Sequence, residues 1–389
     1  MKKKIFLYGS TGSIGLSTLE VYRQHRSQLE IVGIAANKNW RRLLDQADEL
    51  NPSVILIGNS EAAHQFRNHY SGNARVITGM NDFGRIIEDT GVDLLVNAVV
   101  GARGLVPTYQ ALQQGKPVAI ANKETLVAAG KLMMAISQEK SGHLFPIDSE
   151  HSAIWQVLQG EDTQQVRRII LTASGGPFRE KSIEEMKNVT VEQALTHPNW
   201  EMGPKITIDS ATMMNKGLEI IEAYWLYSVP SDQIKVVVHK ESIIHSMVEF
   251  EDGSVKAQLS YPDMKIPIAY ALFYPDHVEL NSKFLNIDEV FSLHFEPPDF
   301  DRFPALRLAY QALETSATHP CVLNAANEIA VEYFLNGKIK FTDIAVVVEK
   351  MLEKHPGESE YTLEQILELD RLTRENTKEL LENWRRDNK

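Results

Sequence analysis

A short apolar run, Lys4-Ile-Phe-Leu-Tyr8, passes without a break into Gly9-Ser-Thr-Gly12-Ser-Ile-Gly15. A helical pattern carrying Leu19 and Val21-Tyr22 follows at once. Strand, glycine turn and helix, in that order, open a doubly wound parallel sheet. The glycines let backbone N–H groups approach a pyrophosphate, and the following helix N-terminus favours its negative charge. The spacing is G-x-x-G-x-x-G, so a tight turn that binds nothing is the competing reading. No Gly-Lys-Ser/Thr follows, which argues against a P-loop.

The second strand, Glu30 to Ala35, ends in Ala36-Asn37-Lys38-Asn39, with Arg41 and Arg42 behind it. An acid that would bind a ribose 2′-hydroxyl is missing, and a cation stands where a 2′-phosphate would lie. This favours NADP(H) over NAD(H). Further strands are expected at Ser53–Ile57, Asp93–Ala98 and Pro117–Ile120, with helices between them. Alternating strands and helices predict an α/β fold with a parallel sheet, and ligands beyond the carboxyl ends of its strands. Ala121-Asn122-Lys123-Glu124 falls at such an end, which places Lys123 toward cofactor and substrate.

At 389 residues the chain is too long for one ordinary core, so two or three domains are expected. A net charge of −12 argues against nucleic acid as the main partner, though a local basic site can still take an anion. The single cysteine, Cys321, excludes an intrachain disulfide and a thiolate metal cluster, and fits a reducing compartment. After Met1-Lys-Lys-Lys4 the apolar run is too short for a signal peptide, and no run approaches a membrane span. A cytoplasmic protein with no membrane partner is expected.

Asp148-Ser149-Glu150-His151 closes the apolar run Leu144 to Ile147. Alternation along a strand would put both carboxylates on one face. Like charges that close repel unless a cation lies between them, and an all-oxygen site suits Mg²⁺ or Mn²⁺. Beyond it, a strand Arg168–Thr172 ends in Ser174-Gly175-Gly176, a hydroxyl with bare amides that could meet an anion. His197-Pro-Asn-Trp200-Glu-Met-Gly203-Pro204 reads as an irregular lid. Lys205–Asp209 reads as a strand leading into a helix capped by Asp209 or Ser210. On that helix Asn215, Glu219 and Glu222 share a face with Lys216 beside them, an arrangement suited to a phosphate plus a metal.

A hairpin, Ile243–Phe250 with Ser254–Ser260, should join Arg168–Thr172 and Ile234–Val238 in a small mixed sheet, a candidate dimer surface. Helical patterns at Phe303–Leu313, Val322–Leu335, Thr342–Lys354 and Leu363–Arg385 predict a C-terminal helical bundle. The expected division is 1–147 for nucleotide binding, 148–273 for catalysis and dimerisation, 274–302 as a linker, and 303–389 as the bundle.

Taken together, several motifs resemble the 1-deoxy-D-xylulose 5-phosphate reductoisomerase family. They are residues 9–15, Ala-Asn-Lys-Glu (121–124), Pro-Ile-Asp-Ser-Glu-His (146–151), Ser-Gly-Gly-Pro-Phe-Arg (174–179), His-Pro-Asn-Trp-Glu-Met-Gly (197–203), residues 209–219, and Leu-Asn-Ala-Ala-Asn-Glu (323–328). The resemblance implies an NADP-dependent oxidoreductase of isoprenoid-precursor synthesis. Such an enzyme uses NADPH and a divalent metal (Mg²⁺, Mn²⁺ or Co²⁺) to rearrange and reduce the sugar phosphate to 2-C-methyl-D-erythritol 4-phosphate, and works as a homodimer. It implies that Thr11, Gly12, Ser13, Ile14, Asn37, Lys38, Asn39, Asn122, Glu124 and Gly203 contact NADPH. Asn37 stands where some members have glycine, which softens its role. Asp148, Glu150 and Glu219 would hold the metal. Lys123, Ser149 and Glu150 would meet the reacting part of the substrate. Ser174, His197, Ser210, Asn215 and Lys216 would hold its hydroxyls and phosphate, with Trp200 on the lid. Lys123, Asp148, Glu150 and Glu219 are thus the expected catalytic set.

Two other classes are weaker. A semialdehyde dehydrogenase needs a nucleophilic cysteine, and Cys321 lies far from every motif. A homoserine dehydrogenase or a non-catalytic NADP sensor leaves the three acids without a purpose.

Overall fold

The apolar runs of the first 150 residues form seven strands: β1 (Lys3–Tyr8), β2 (Leu29–Ala36), β3 (Val54–Ile57), β4 (Arg75–Thr78), β5 (Leu94–Asn97), β6 (Val118–Ile120) and β7 (Leu144–Pro146). In this computed structural model, residues 1–79, 83–197, 200, 202–288 and 292–387 are described. The seven strands lie in the order β4-β3-β2-β1-β5-β6-β7, each pair parallel. Every residue of β3, β5 and β6 is buried, as a strand covered by helices on both faces requires. The sequence reading missed β4. Its four residues, Arg-Val-Ile-Thr, are polar at both ends, as suits an edge strand.

Because all seven strands are parallel, their carboxyl ends share one edge of the sheet. The order reverses at β1, which pairs with β2 on one side and β5 on the other. Such a switch point opens a crevice at that edge. Phe6, fully buried at the centre of β1, meets Phe83 edge-on with ring centroids 5.1 Å apart.

Four further strands form the expected mixed sheet: β8 (Val166–Ala173), β9 (Ile234–Val238), β10 (Ile244–Phe250) and β11 (Val255–Leu259), in the order β11-β10-β8-β9. β10 is antiparallel to both β8 and β11, and β8 is parallel to β9. The four expected C-terminal helices are present at Pro304–Thr315, His319–Leu335, Asp343–Lys354 and Leu363–Asp387.

The chain makes two compact units whose boundaries differ from the expected ones. The first holds Met1–Asn122, Met133–Ser152 and Asp263–Lys283; the second holds Lys123–Leu132, Ala153–Pro262 and Phe284–Lys389. Two physical causes are visible. The helix Lys123–Lys140 is interrupted at Ala129 (φ −138°, ψ 30°), close to where the units divide. The apolar helix Lys265–Phe273 packs on Ser13–Gln24 in the first unit. The C-terminal helices share a core with the mixed sheet: Leu306, Ile329, Phe334, Val347 and Leu381 join Ile169, Leu171 and Val248 in one buried cluster.

Two local expectations are corrected. Residues 205–209 are not a strand but lie in a helix, Pro204–Ala211, with Pro204 in its first turn and Gly203 as N-cap. Proline there is pre-set for a helix start and loses no needed N–H. Asp209 and Ser210 therefore sit inside this helix and do not cap the next one. The next helix, Met214–Tyr227, follows Met213, which is in the left-handed region at φ 62°. Among the described residues, no helix is long and apolar enough to cross a membrane.

Phe6→Ala removes a fully buried ring beside the switch point. It should cost about 3–5 kcal/mol, read as a lower denaturation midpoint. A loss below about 1 kcal/mol would mean that the ring is not packed as described.

Candidate active site

Gly9 leaves β1 at φ +100°, a conformation that side chains rarely tolerate. Gly15 packs so closely that a Cβ there would lie 2.3 Å from the Gly9 carbonyl oxygen. The turn therefore folds tightly onto the start of the helix Ser13–Gln24. No side chain caps that helix at Gly12, and Gly12 and Ser13 are exposed, so its first N–H groups are open to an anion. Thr11 and Ile14 are half-buried beside them. Arg42 donates to the Thr11 carbonyl at 3.3 Å and brings a cation to the turn. Beyond β2, Asn39 caps the helix Trp40–Leu50 through the Arg42 N–H (3.3 Å). Lys38 is exposed and Asn37 half-buried. Asn122, fully buried after β6, donates to the carbonyls of Val99 and Gly101 at 3.0 and 2.9 Å, shaping the loop that leaves β5.

Asp148, Ser149 and Glu150 leave the carboxyl end of β7, on the same sheet edge as the glycine turn. β1 and β7 stand three strand spacings apart in the sheet, roughly 15 Å. The two acids are not on a strand, as alternation had suggested. Asp148 precedes the helix Ser149–Val157, and Glu150 lies in its first turn. The Glu150 N–H donates to Asp148 Oδ1 at 3.3 Å, and Ser149 Oγ donates to Glu150 Oε2 at 2.7 Å. His151 is fully buried and places Nδ1 3.2 Å from Asp148 Oδ1. This contact fixes the orientation of that carboxylate.

In the second unit, Glu219 has no exposed surface. A buried carboxylate is costly unless paired. Lys123 Nζ reaches Glu219 Oε1 at 3.1 Å and also donates to Asn215 Oδ1 at 2.8 Å. The Asn215 amide donates to the same Oε1, and Lys216 bonds the other oxygen. Of the expected face of Asn215, Glu219 and Glu222 with Lys216 beside it, Asn215 and Lys216 bond Glu219, Glu222 lies fully buried on the same helix, and Lys123 joins from the start of another helix. Asn215 and Lys216 lie in a first helical turn, where an anion is favoured.

Ser174, His197 and Ser210 are also brought together. Gly176 adopts φ +66°, and a Cβ there would lie 2.6 Å from the Ser210 carbonyl oxygen, so the Ser-Gly-Gly turn packs directly on the helix carrying Ser210. The Trp200 backbone N–H donates to His197 Nδ1 at 2.9 Å. A neutral ring then carries its proton on Nε2, which lies 3.0 Å from Ser174 Oγ. Ser174 Oγ accepts the hydrogen bond from that N–H, and its own hydrogen can turn to a ligand oxygen. Burial, helped by the charge of Arg179, lowers the His197 pKa to about 4. The Trp200 ring stands 6.2 Å from that of His245. Pro198, Asn199 and Glu201 of the expected lid lie outside the described residues.

Glu124 is buried at the start of the helix Lys123–Lys140 and bonds Lys205 Nζ at 3.2 Å. Burial opposes its charge, yet Lys205 and a backbone hydrogen bond hold its carboxyl below the usual range. Lys205 is likewise opposed by burial, but Asp209, Glu124 and Glu328 raise its pKa above the ordinary lysine value. Gly203 is exposed at the N-cap of the helix that carries Lys205. Cys321 is fully buried, and burial pushes its thiol pKa up, which removes it as a nucleophile.

Sequence reasoning passed over His151, His245, Lys205 and Asp209 as contributors. His151 adjoins the D-x-E pair and was findable. Lys205 and Asp209 are a helical i,i+4 pair, a signal concealed by reading their stretch as a strand.

A seven-stranded parallel sheet with an open glycine turn at its switch point, followed by a unit carrying lysine–carboxylate and serine–histidine clusters, defines a Rossmann-type nucleotide-dependent enzyme. The family model "1-deoxy-D-xylulose 5-phosphate reductoisomerase" matches residues 5–130, and two models of the C-terminal domains of the same enzyme match 144–227 and 259–376. A reductoisomerase of Pelodictyon phaeoclathratiforme is 51% identical over 97% of this chain and 100% of its own. The Zymomonas mobilis enzyme, solved with NADPH, superposes with a TM-score of 0.90 at 40% identity, over 98% of this chain and 100% of that one. A reductoisomerase solved with NADPH, fosmidomycin and magnesium gives 0.93, also at 40% identity, over 98% of each chain. The chain belongs to the 1-deoxy-D-xylulose 5-phosphate reductoisomerase family.

His197 should titrate near its lowered value of about 4 instead of its ordinary 6.5. Above 6.5 neither the folded nor the unfolded chain carries this proton. As pH falls from 6.5 to about 4, the unfolded chain gains a proton that the folded one refuses, so the stability held by this group is lost across that window. An NMR titration with a midpoint near 6.5 would show that the ring is not held as described.

Proposed function

We propose that the chain converts 1-deoxy-D-xylulose 5-phosphate to 2-C-methyl-D-erythritol 4-phosphate, using NADPH and a divalent cation, in isoprenoid-precursor synthesis. It is an NADP-dependent oxidoreductase. The observation that carries the assignment of roles is the buried Glu219 ringed by Lys123, Asn215 and Lys216, in a chain half-identical to named reductoisomerases.

The residues fit both groups that the reaction needs. Asp148, Glu150 and Glu219 offer hard carboxylate oxygens, the donor set that suits Mg²⁺ or Mn²⁺, with His151 steadying Asp148. When bound, the cation would spread the negative charge that develops on vicinal substrate oxygens. The uncapped helix start at Ser13, with Thr11, Gly12, Ile14, Asn37, Lys38 and Asn39 around it, suits the pyrophosphate and 2′-phosphate of NADPH. When bound there, NADPH would supply hydride for the reductive half of the reaction. Asn122, Glu124 and Gly203 complete the proposed cofactor set, Asn122 by shaping the loop beyond β5.

The chain's own work is positioning. Lys123 holds its ammonium at the reacting oxygens, supported by Asn215 and Glu219, and Ser149 offers a hydroxyl there. Ser174, Ser210, Asn215 and Lys216 grip the phosphate, Ser174 donating because His197 Nε2–H satisfies its lone pair. Binding energy from this remote group orients the carbon skeleton. Trp200, on the segment that closes over the ligand, excludes water.

The functional division is proposed as nucleotide binding by residues 1–147 and catalysis by 148–273, with 274–302 linking the helical segment. A cytoplasmic homodimer is proposed as well. The mixed sheet supports it as the dimer surface, since edge strand β11 leaves Val255 and Leu259 exposed.

The deciding experiment incubates the chain with 1-deoxy-D-xylulose 5-phosphate, Mn²⁺ and NADPH and identifies the product. Methylerythritol phosphate, formed only without EDTA, is expected; NADPH left unconsumed with the metal present would refute the function. Glu219→Gln should abolish turnover while NADPH binding stays nearly intact, and near-wild-type turnover would remove the metal role. Lys216→Ala should chiefly raise KM for the sugar phosphate, by roughly tenfold or more for a lost charged contact. An unchanged KM would take Lys216 out of the phosphate grip.

A further inference from the structure

A chain of buried polar contacts runs from the start of one helix to the middle of another. Glu124 Oε1 accepts from Lys205 Nζ at 3.2 Å. The same ammonium lies 2.8 Å from Asp209 Oδ2, one helical turn further on. The other oxygen, Asp209 Oδ1, accepts from Asn327 Nδ2 at 2.8 Å. Glu124, Asp209 and Asn327 are all buried. Asn327 belongs to the helix His319–Leu335 and neighbours Glu328, whose carboxylate is held by Asn324 and Arg374 at 3.0 and 2.8 Å.

Lys205 stands in the first turn of its helix, where the helix dipole disfavours a cation. Two carboxylates offset that cost. Asn327 fixes the second of them, so the ammonium has one orientation and Glu124 is bonded to a donor that does not swing away. Gly203 caps the same helix, two residues before Lys205. Two residues assigned to NADPH, Glu124 and Gly203, are thus joined through one lysine.

We propose that Lys205 is a positioning residue for the nicotinamide cofactor, holding Glu124 in place while Asp209 and Asn327 hold Lys205. This inference rests on the reading of Glu124 as an NADPH contact. It gives the C-terminal helices a part in cofactor affinity, through Asn327, without their touching the cofactor.

The test uses the purified full-length chain and measures the NADPH Kd by nicotinamide fluorescence, alongside KM for 1-deoxy-D-xylulose 5-phosphate. Lys205→Met should raise the NADPH Kd roughly tenfold or more and change the sugar-phosphate KM by less than about twofold. Lys205→Arg, which keeps the charge, should recover most of the affinity. Asn327→Ala should shift the Kd in the same direction by less. In the double variant with Glu124→Gln, Lys205→Met should add little. If both constants worsen together and arginine gives no rescue, Lys205 only supports the fold and the proposal fails. It fails as well if Glu124→Gln weakens NADPH while Lys205→Met does not. Unchanged NADPH affinity in Glu124→Gln would instead overturn the reading of Glu124, and the inference with it. Should Lys205→Met not fold, an unchanged NADPH Kd in Asn327→Ala overturns the proposal.

Discussion

A carboxylate without exposed surface has to be matched, and the surroundings of Glu219 show what the match demands. Lys123 comes from the start of one helix; Asn215 and Lys216 come from the turn just before Glu219 on its own helix. Breaking a buried pair leaves an uncompensated charge, far costlier than the pair is worth as stabilisation. The geometry around Glu219 is consequently tightly specified. The left-handed turn at Met213 is part of that specification, because it ends one helix and starts the next with Asn215 and Lys216 in its first turn. A non-glycine residue in that conformation costs free energy, and such strain persists where the surroundings enforce it.

The parallel sheet makes the complementary contribution. Burying β3, β5 and β6 on both faces leaves their ends as the places where polar loops can meet a ligand. One sheet edge therefore receives the glycine turn after β1, the basic loop after β2, the Asn122 loop after β6 and the Asp148–Glu150 pair after β7. Rigid, dry strands hold these loops in register with one another. The second unit uses different means for the same end. Its side chains are positioned by helix starts and by a close turn at Gly176, and its buried charges are arranged in chains instead of isolated pairs.

Much of this was legible before any coordinates. Continuous apolar runs announced six of the seven parallel strands, since a strand buried on both faces has no polar alternation to blur it. The hairpin turned at Glu251-Asp252-Gly253, between its two strands, and the four late helices carried clear three-and-four spacing. Other features were hidden for physical reasons. β4 is a short edge strand with polar ends. In residues 204–211, Ile206 and Ile208 alternate as a strand would, while Pro204 marks a helix start; the proline was the truer signal. The helical bundle looked independent because each helix is amphipathic, and periodicity does not say which surface an apolar stripe will cover.

Local chemistry and spacing were enough to specify the glycine turn, the absence of an acid after β2, the D-x-E pair, and the family to which the motifs belong. Each of these depends on residues close together in the chain. The placement of Lys123 on Glu219, the proton position on His197 and the line from Glu124 through Lys205 and Asp209 to Asn327 join residues as much as two hundred positions apart. No local rule reaches that far. Those contacts arise only when buried charges must find partners inside a core whose shape the whole chain determines.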